Sequence, residues 1–165
     1  MIKNNLKKNI IYIFIFILIF AIDRFSKLYI LNLAEMNDAL NLYVASFLNF
    51  YLIWNKGIAF GLFSFDQNFI YNFITFLITI ITVIVLIIAI QSRDYKGYFF
   101  ISIFSGSVGN LYDRLYYSAV PDFIDFHLDD FHWFIFNVAD IFISLGVICL
   151  IFVEIFFKKK INEKS

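Results

Sequence analysis

The chain has 165 residues, 62% of them hydrophobic and 22% aromatic, with 16% charged and a mean hydropathy of +0.82. Soluble domains are roughly 45–50% apolar and 25% charged, so a soluble enzyme is excluded and the chain belongs in lipid. Thirteen Lys plus Arg against thirteen Asp plus Glu leave no basic surplus for nucleic acid, and the single Cys149 supports neither a disulfide framework nor a cysteine zinc site.

A hydrocarbon core of about 30 Å needs about 20 helical residues. Four stretches meet that length or come near it: about 10–30, 69–90, 98–112 and 137–157. The first follows Lys3, Lys7 and Lys8, as a secretory signal would. No A-x-A-like cleavage site follows, however, and the helical pattern runs on through Asp23, Arg24 and Lys27, so the segment is expected to stay. The third stretch is diluted by Ser102, Ser105, Gly106, Ser107 and Gly109. Small residues at such spacing serve close helix packing, which predicts a helix buried among its neighbours. Lysine and arginine gather before the first stretch, at Arg93 and Lys96, and at Lys158, Lys159, Lys160 and Lys164, while the other two connections hold only Lys56 and Arg114. The positive-inside rule then puts both termini in the cytoplasm. The connections at about 31–68 and 113–136 fall outside; within the first, Leu40 to Trp54 reads as strands or an interfacial layer.

Ionisable residues inside a membrane are functional hypotheses by default. Asp23 lies thirteen residues after Ile10, roughly 20 Å into the bilayer, and Lys27 follows on the same helix face. A structural ion pair explains the two as well as contact with a substrate does. Asn110 and Arg114 share a face of the third stretch with Ser107 alongside; they suit gripping carbonyl groups, or Arg114 neutralises a nearby aspartate. Asn137 and Asp140 open the last helix as an N-cap and its N3 partner, a full structural explanation for both. Asp140 is nevertheless fixed at the outer boundary, level with Asp23 and Arg114, and Asp122 in the segment Val120 to Phe126 can dip to the same level. Two carboxyls held close cannot both ionise cheaply. One keeps a proton while the other draws a proton from an attacking water, which is the logic of an aspartic protease.

These motifs, in this order, resemble the type II (lipoprotein) signal peptidases of bacteria: Asp23-x-x-x-Lys27, Asn55-x-Gly57-x-Ala59-Phe60-Gly61, Gly109-Asn110-x-x-Asp113-Arg114, Val120-x-Asp122-Phe123-Ile124 and Phe136-Asn137-x-Ala139-Asp140. The resemblance covers the chain from about residue 10 to 157. It implies an all-α integral membrane protein, a four-transmembrane-helix bundle with a small extracytoplasmic β-cradle and loop, in the bacterial cytoplasmic membrane. It implies Asp122 and Asp140 as the catalytic acids, with Asp125 off the catalytic position. Asp23, Lys27, Asn55, Gly57, Asn110, Arg114, Asn137 and Ala139 are then expected to bind substrate or support the site. The implied substrate is a prolipoprotein whose cysteine carries a diacylglyceryl group, cut just before that cysteine; inhibition by the cyclic peptide globomycin is implied as well. Membrane lipids are the other expected partners, no metal or cofactor is expected, and the chain is expected to act as a monomer. Asp140, in the first turn of its helix, is expected to be the ionised base and Asp122, on a loop, the proton holder. The segment from Asn55 to Gly61 is expected to gate or line the site.

Other readings fare worse. Ser26 and Lys27 are adjacent and point in different directions on one helix, which does not suit a Ser/Lys hydrolase. No His-Glu-x-x-His occurs, and His127 and His132 with Asp129 and Asp130 are better explained as an exposed polar loop than as a metal site. A non-enzymatic small channel or assembly subunit would carry polar residues through the full membrane thickness, whereas the stretch from Phe69 to Ile90 offers little beyond Asn72 and threonines.

Overall fold

In the computed structural model, residues 2–36, 41–57, 68–128 and 131–162 are described. Among the described residues, helix α1 (Ile2–Met36) leads into a hairpin of β1 (Asn41–Ala45) and β2 (Leu48–Asn55), then come α2 (Asn68–Gln91) and α3 (Lys96–Tyr117) in succession, a second hairpin of β3 (Val120–Leu128) and β4 (Phe131–Phe136), and α4 (Val138–Asn162). Among the described residues, three helical stretches are long and apolar enough to cross a membrane: Leu6–Met36, Phe69–Gln91 and Val138–Phe156. Their outward faces carry large apolar side chains such as Phe14, Phe25, Phe73 and Ile148, all exposed. That arrangement suits lipid, where no hydrophobic force drives such groups inward.

Helix α3 is less apolar, and the fold explains why: it packs against α1, α2 and α4 together. Its small residues let the neighbours in. A Cβ on Gly106 would stand 2.6 Å from the Ala139 carbonyl oxygen, one on Gly109 2.7 Å from Asp23 Oδ2, and one on Gly146 of α4 2.6 Å from Ile103. The close helix packing expected from Ser102, Gly106 and Gly109 is therefore present, centred on the two glycines. Helix α3 ends at Ser118, whose φ of 57° is the left-handed turn that stops a helix.

The four strands form one antiparallel sheet in the order β1-β2-β3-β4. The strands expected between Leu40 and Trp54 are β1 and β2. The segment after Tyr117, read from sequence as a connecting loop, is instead mostly strand, so Asp122 sits on β3. The segment from Val120 to Phe126 carries that strand; Val120 to Phe123 are buried on both faces, while Phe126 is exposed. Asp122 pairs with Ile53 and Val120 with Asn55, and a bulge between Phe50 and Ile53 bends β2 beside them. Beneath the sheet, Phe123 packs on Ile30 of α1 with Phe50, Leu52 and Val138 around them. At the opposite end of the bundle, Tyr12, Ala89 and Ile101 join α1, α2 and α3.

Candidate active site

Helix α4 begins with a reciprocal cap. The Asp140 N–H donates to Asn137 Oδ1 and the Asn137 N–H donates to Asp140 Oδ2, each at 3.2 Å. Two of the N–H groups that a helix start leaves without partners are met in this way, and Asp140 is pinned in the first turn. The remaining oxygen, Asp140 Oδ1, accepts from Asn110 Nδ2 of α3 at 2.8 Å.

Asp122 reaches the same place from β3. Its Oδ1 accepts from Asn137 Nδ2 at 2.6 Å and its Oδ2 from Asn55 Nδ2, at the end of β2, at 2.8 Å. All four carboxyl oxygens of the pair thus accept an N–H. Asn55 is itself turned by the Gly57 N–H, which donates to its Oδ1 at 2.8 Å. Asp122 and Asp140 are both buried, and both line a cavity of about 170 Å³ with Asn55, Asn110, Arg114, Asn137 and Ser107. Ile78, Ile81 and Ile143 give the cavity an apolar wall, with Thr82 among them.

Burial pushes the Asp122 carboxyl up to about 7, and the neighbouring Asp140 charge adds to the rise. The amides of Asn55 and Asn137 and the charge of Lys27 pull the other way and are outweighed. A carboxyl in that range exchanges its proton near neutral pH, as a group in acid–base chemistry must.

Arg114 donates through one terminal nitrogen to the Gly57 carbonyl and lies over the Tyr71 ring at 5.6 Å, while the Tyr71 hydroxyl donates to the Arg114 carbonyl at 3.1 Å. Its other terminal nitrogen, NH1, is buried without a hydrogen-bond partner among the described residues. Of the two readings of Arg114, neutralising a nearby aspartate finds no ion pair among the described residues, and the side chain lines the cavity instead.

A second set of acids lies behind the cavity. Lys27 Nζ meets Asp23 Oδ1 at 2.9 Å and Asp113 Oδ2 at 2.7 Å. Arg24 holds the same two acids, at 2.7 Å to Asp23 and 2.5 Å to Asp113. Asp23 Oδ1 also accepts the Ala139 N–H at 3.1 Å, tying α1 to the start of α4. The third Lys27 proton goes to Asn110 Oδ1 at 2.8 Å. So Asp23 and Lys27 form the expected ion pair, and neither lines the cavity.

The structure thus gathers Asp122, Asp140, Asn55, Asn110, Arg114 and Asn137 around one cavity, with Gly57, Ala139, Lys27 and Asp23 one contact further out. Asp125, three residues along β3 from Asp122 and hence on the opposite strand face, lies 3.9 Å from His127 and does not line the cavity. Residues 58–61 of the expected gating segment, and Asp129 and Asp130, lie outside the described residues. Sequence reading gave no role to Arg24, Asp113, Tyr71 or Thr82. Arg24 and Asp113 each stand within a turn of another polar residue, Asp23 and Gly109–Asn110, which was the available signal. Tyr71 and Thr82 had none, because nothing local separates a cavity-facing turn of α2 from a lipid-facing one.

Comparison with known proteins agrees with this geometry. The signal peptidase (SPase) II family model matches residues 15–157. The chain is 53% identical over 164 residues to a lipoprotein signal peptidase of Pelagibacter ubique, covering 99% of both chains. It is 38% identical over 161 residues to one of Francisella tularensis subsp. holarctica, covering 95% of this chain and 99% of the other. A solved bacterial membrane enzyme structure, obtained by the in meso method, superposes with a TM-score of 0.68 at 26% identity, over 93% of this chain and 91% of that one. A match over most of the chain, with buried aspartates on the family's motifs, leads to one conclusion: the chain belongs to the signal peptidase II family.

Proposed function

We propose that this chain is a membrane aspartic endopeptidase that removes signal peptides from diacylglyceryl-modified prolipoproteins, with Asp122 and Asp140 as its catalytic residues. The observation that carries the reading is the meeting of these two buried carboxyls, from separate elements, at one cavity between α2, α3 and α4. Asp140 acts as the base and Asp122 as the acid. Water lodged between them gives a proton to Asp140 while its oxygen attacks the scissile carbonyl carbon, and Asp122 gives its proton to the carbonyl oxygen. Collapse of the tetrahedral intermediate breaks the C–N bond. The proton on Asp140 leaves with the amine, and Asp122 regains its own from the collapsing hydroxyl.

The unpartnered Arg114 NH1 suits a carbonyl oxygen of the substrate, and the apolar wall of Ile78, Ile81 and Ile143 suits the apolar side chains of a signal peptide. With α3 enclosed by three apolar helices as a fourth crossing, both termini lie in the cytoplasm; the sheet and the cavity then lie at the outer face of the cytoplasmic membrane.

Incubating the purified protein with a lipidated and an unlipidated prolipoprotein tests the activity. Cleavage of the lipidated form alone, just before its modified cysteine, is expected; cleavage of neither removes the reading. Cysteine-accessibility labelling in a Cys149→Ala background tests the orientation. Positions 55 and 127 should react in intact cells, and positions 3 and 160 only after the inner face is opened.

A further inference from the structure

Three asparagine side chains hold the two acids, and each must present its N–H₂ rather than its oxygen. An amide rotated by half a turn has nearly the same shape, so something has to fix its direction. For Asn55 the lock is the Gly57 N–H on its Oδ1, and for Asn137 it is the Asp140 N–H. Both locks are backbone groups. For Asn110 the lock is a side chain, Lys27 Nζ, 2.8 Å from Oδ1, while Asn110 Nδ2 lies 2.8 Å from Asp140 Oδ1. An ammonium group only donates, so the atom facing it must be the amide oxygen, and the amide nitrogen is thereby aimed at Asp140.

The lock is tight because Lys27 has nowhere else to go. It is fully buried, and its three protons are shared among Asp23, Asp113 and Asn110. Asp23 is in turn held by Arg24 and the Ala139 N–H, and Asp113 by Arg24. The ammonium cannot turn away from Asn110 without breaking one of these contacts.

Resting on the aspartic dyad proposed above, we infer that Lys27 is a positioning residue for catalysis, which fixes the direction of the Asn110 amide and through it the placement of the Asp140 carboxylate. Without Lys27, Asn110 is free to turn its oxygen toward Asp140. Two oxygens then face each other, and the carboxylate shifts away or takes up a proton. Lys27 does not line the cavity, so substrate binding is untouched.

The test separates this role from the residue's share in the ion cluster. Lys27→Met leaves two acids with one cation, so it is made alone and also with Asp113→Asn, which restores one acid to one base. The Lys27-free protein that folds carries the assay against the matching protein that retains Lys27. With a lipidated prolipoprotein as substrate, kcat should fall about 10- to 100-fold while KM stays within about twofold. In an Asn110→Ala background the Lys27 substitution should cost nothing further, because the group it orients is gone. An unchanged kcat overturns the inference, as does an equal additional loss in the Asn110→Ala background. Failure of both Lys27-free proteins to fold, while Asp113→Asn folds, also overturns it and leaves Lys27 a structural cation. None of these outcomes touches the dyad itself, whose failure would appear as cleavage by Asp122→Asn or Asp140→Asn.

Discussion

Two clusters of buried acid lie close together in this molecule, and they are built on opposite terms. Asp23 and Asp113 are each gripped by both Lys27 and Arg24, two cations to two anions at 2.5–2.9 Å. Among the described residues, Asp122 and Asp140 accept from neutral amides and a backbone N–H, and they border the cavity. The first arrangement cancels charge. The second orients two carboxyls without neutralising them, so burial and mutual repulsion decide where the proton sits. Burial of acids alone therefore marks nothing; what distinguishes the proposed site is burial without a direct ion pair among the described residues, beside a cavity.

The sharpest way to break this contrast is to remove one acid of the uncompensated pair. Asp122→Asn and Asp140→Asn should each lower cleavage of a lipidated prolipoprotein by about 10⁴-fold, and the double variant should be no worse, since acid and base act as a unit. Asp125→Asn, on the other strand face, should keep much more activity. Substantial turnover by either single variant, in protein that is inserted and folded, would end the comparison.

Apart from Lys27, which reaches Asn110, the compensated cluster should respond in stability rather than rate. Arg24→Gln leaves two buried acids with Lys27 alone, and a broken buried pair costs about 3–5 kcal/mol. The thermal midpoint in detergent should fall markedly while the rate per folded molecule is retained. A rate loss without a stability loss would mean that the two clusters are one.

Titration sharpens the contrast further. The folded value of Asp122, about 7, lies above its ordinary value near 4, so the folded protein holds the extra proton between them. This group's contribution to stability therefore declines as pH rises from about 4 through about 7 and is level beyond. Cleavage should fall above about pH 7 as the acid is lost, roughly tenfold per unit once the proton is gone. Thermal midpoints across pH 4–9 should carry this slope, and Asp122→Asn should flatten it.

The smallest effect concerns the helix contact that sets the site's spacing. Gly106→Ala would place a methyl 2.6 Å from the Ala139 carbonyl oxygen, forcing α3 and α4 apart beside Asp140. A cost of about 1–3 kcal/mol is expected, with a modest loss of turnover; an unchanged thermal midpoint would show that the contact is slack.

Much of this was legible in the sequence because it is local. The cap from Asn137 to Asp140, the Asp23–Lys27 pair and the one-sided gathering of polar residues each follow from spacing along one helix. The meeting of Asp122 with Asp140 was suggested by depth and family motif. The strand that delivers Asp122 was read as loop because its first residues, Val120 to Phe123, are buried on both faces, so position along the chain does not separate an inner from an outer face there. The contact between Arg24 and Asp113 escaped because it joins α1 to α3 across 89 positions of sequence. Thr82 and Ile81 look from sequence like any other lipid-facing turn.

One contact near the start of α4 also bears on how the enzyme comes into being. The Ala139 N–H is met by Asp23, 116 positions earlier. Synthesis reaches α4 after α1 and β3, so until α4 docks against α1 this N–H lacks its Asp23 partner. A half-made chain in the membrane already carries Asp122 but not its counterpart. If the proposed dyad is the catalyst, competence to hydrolyse waits until α4 has docked against α1.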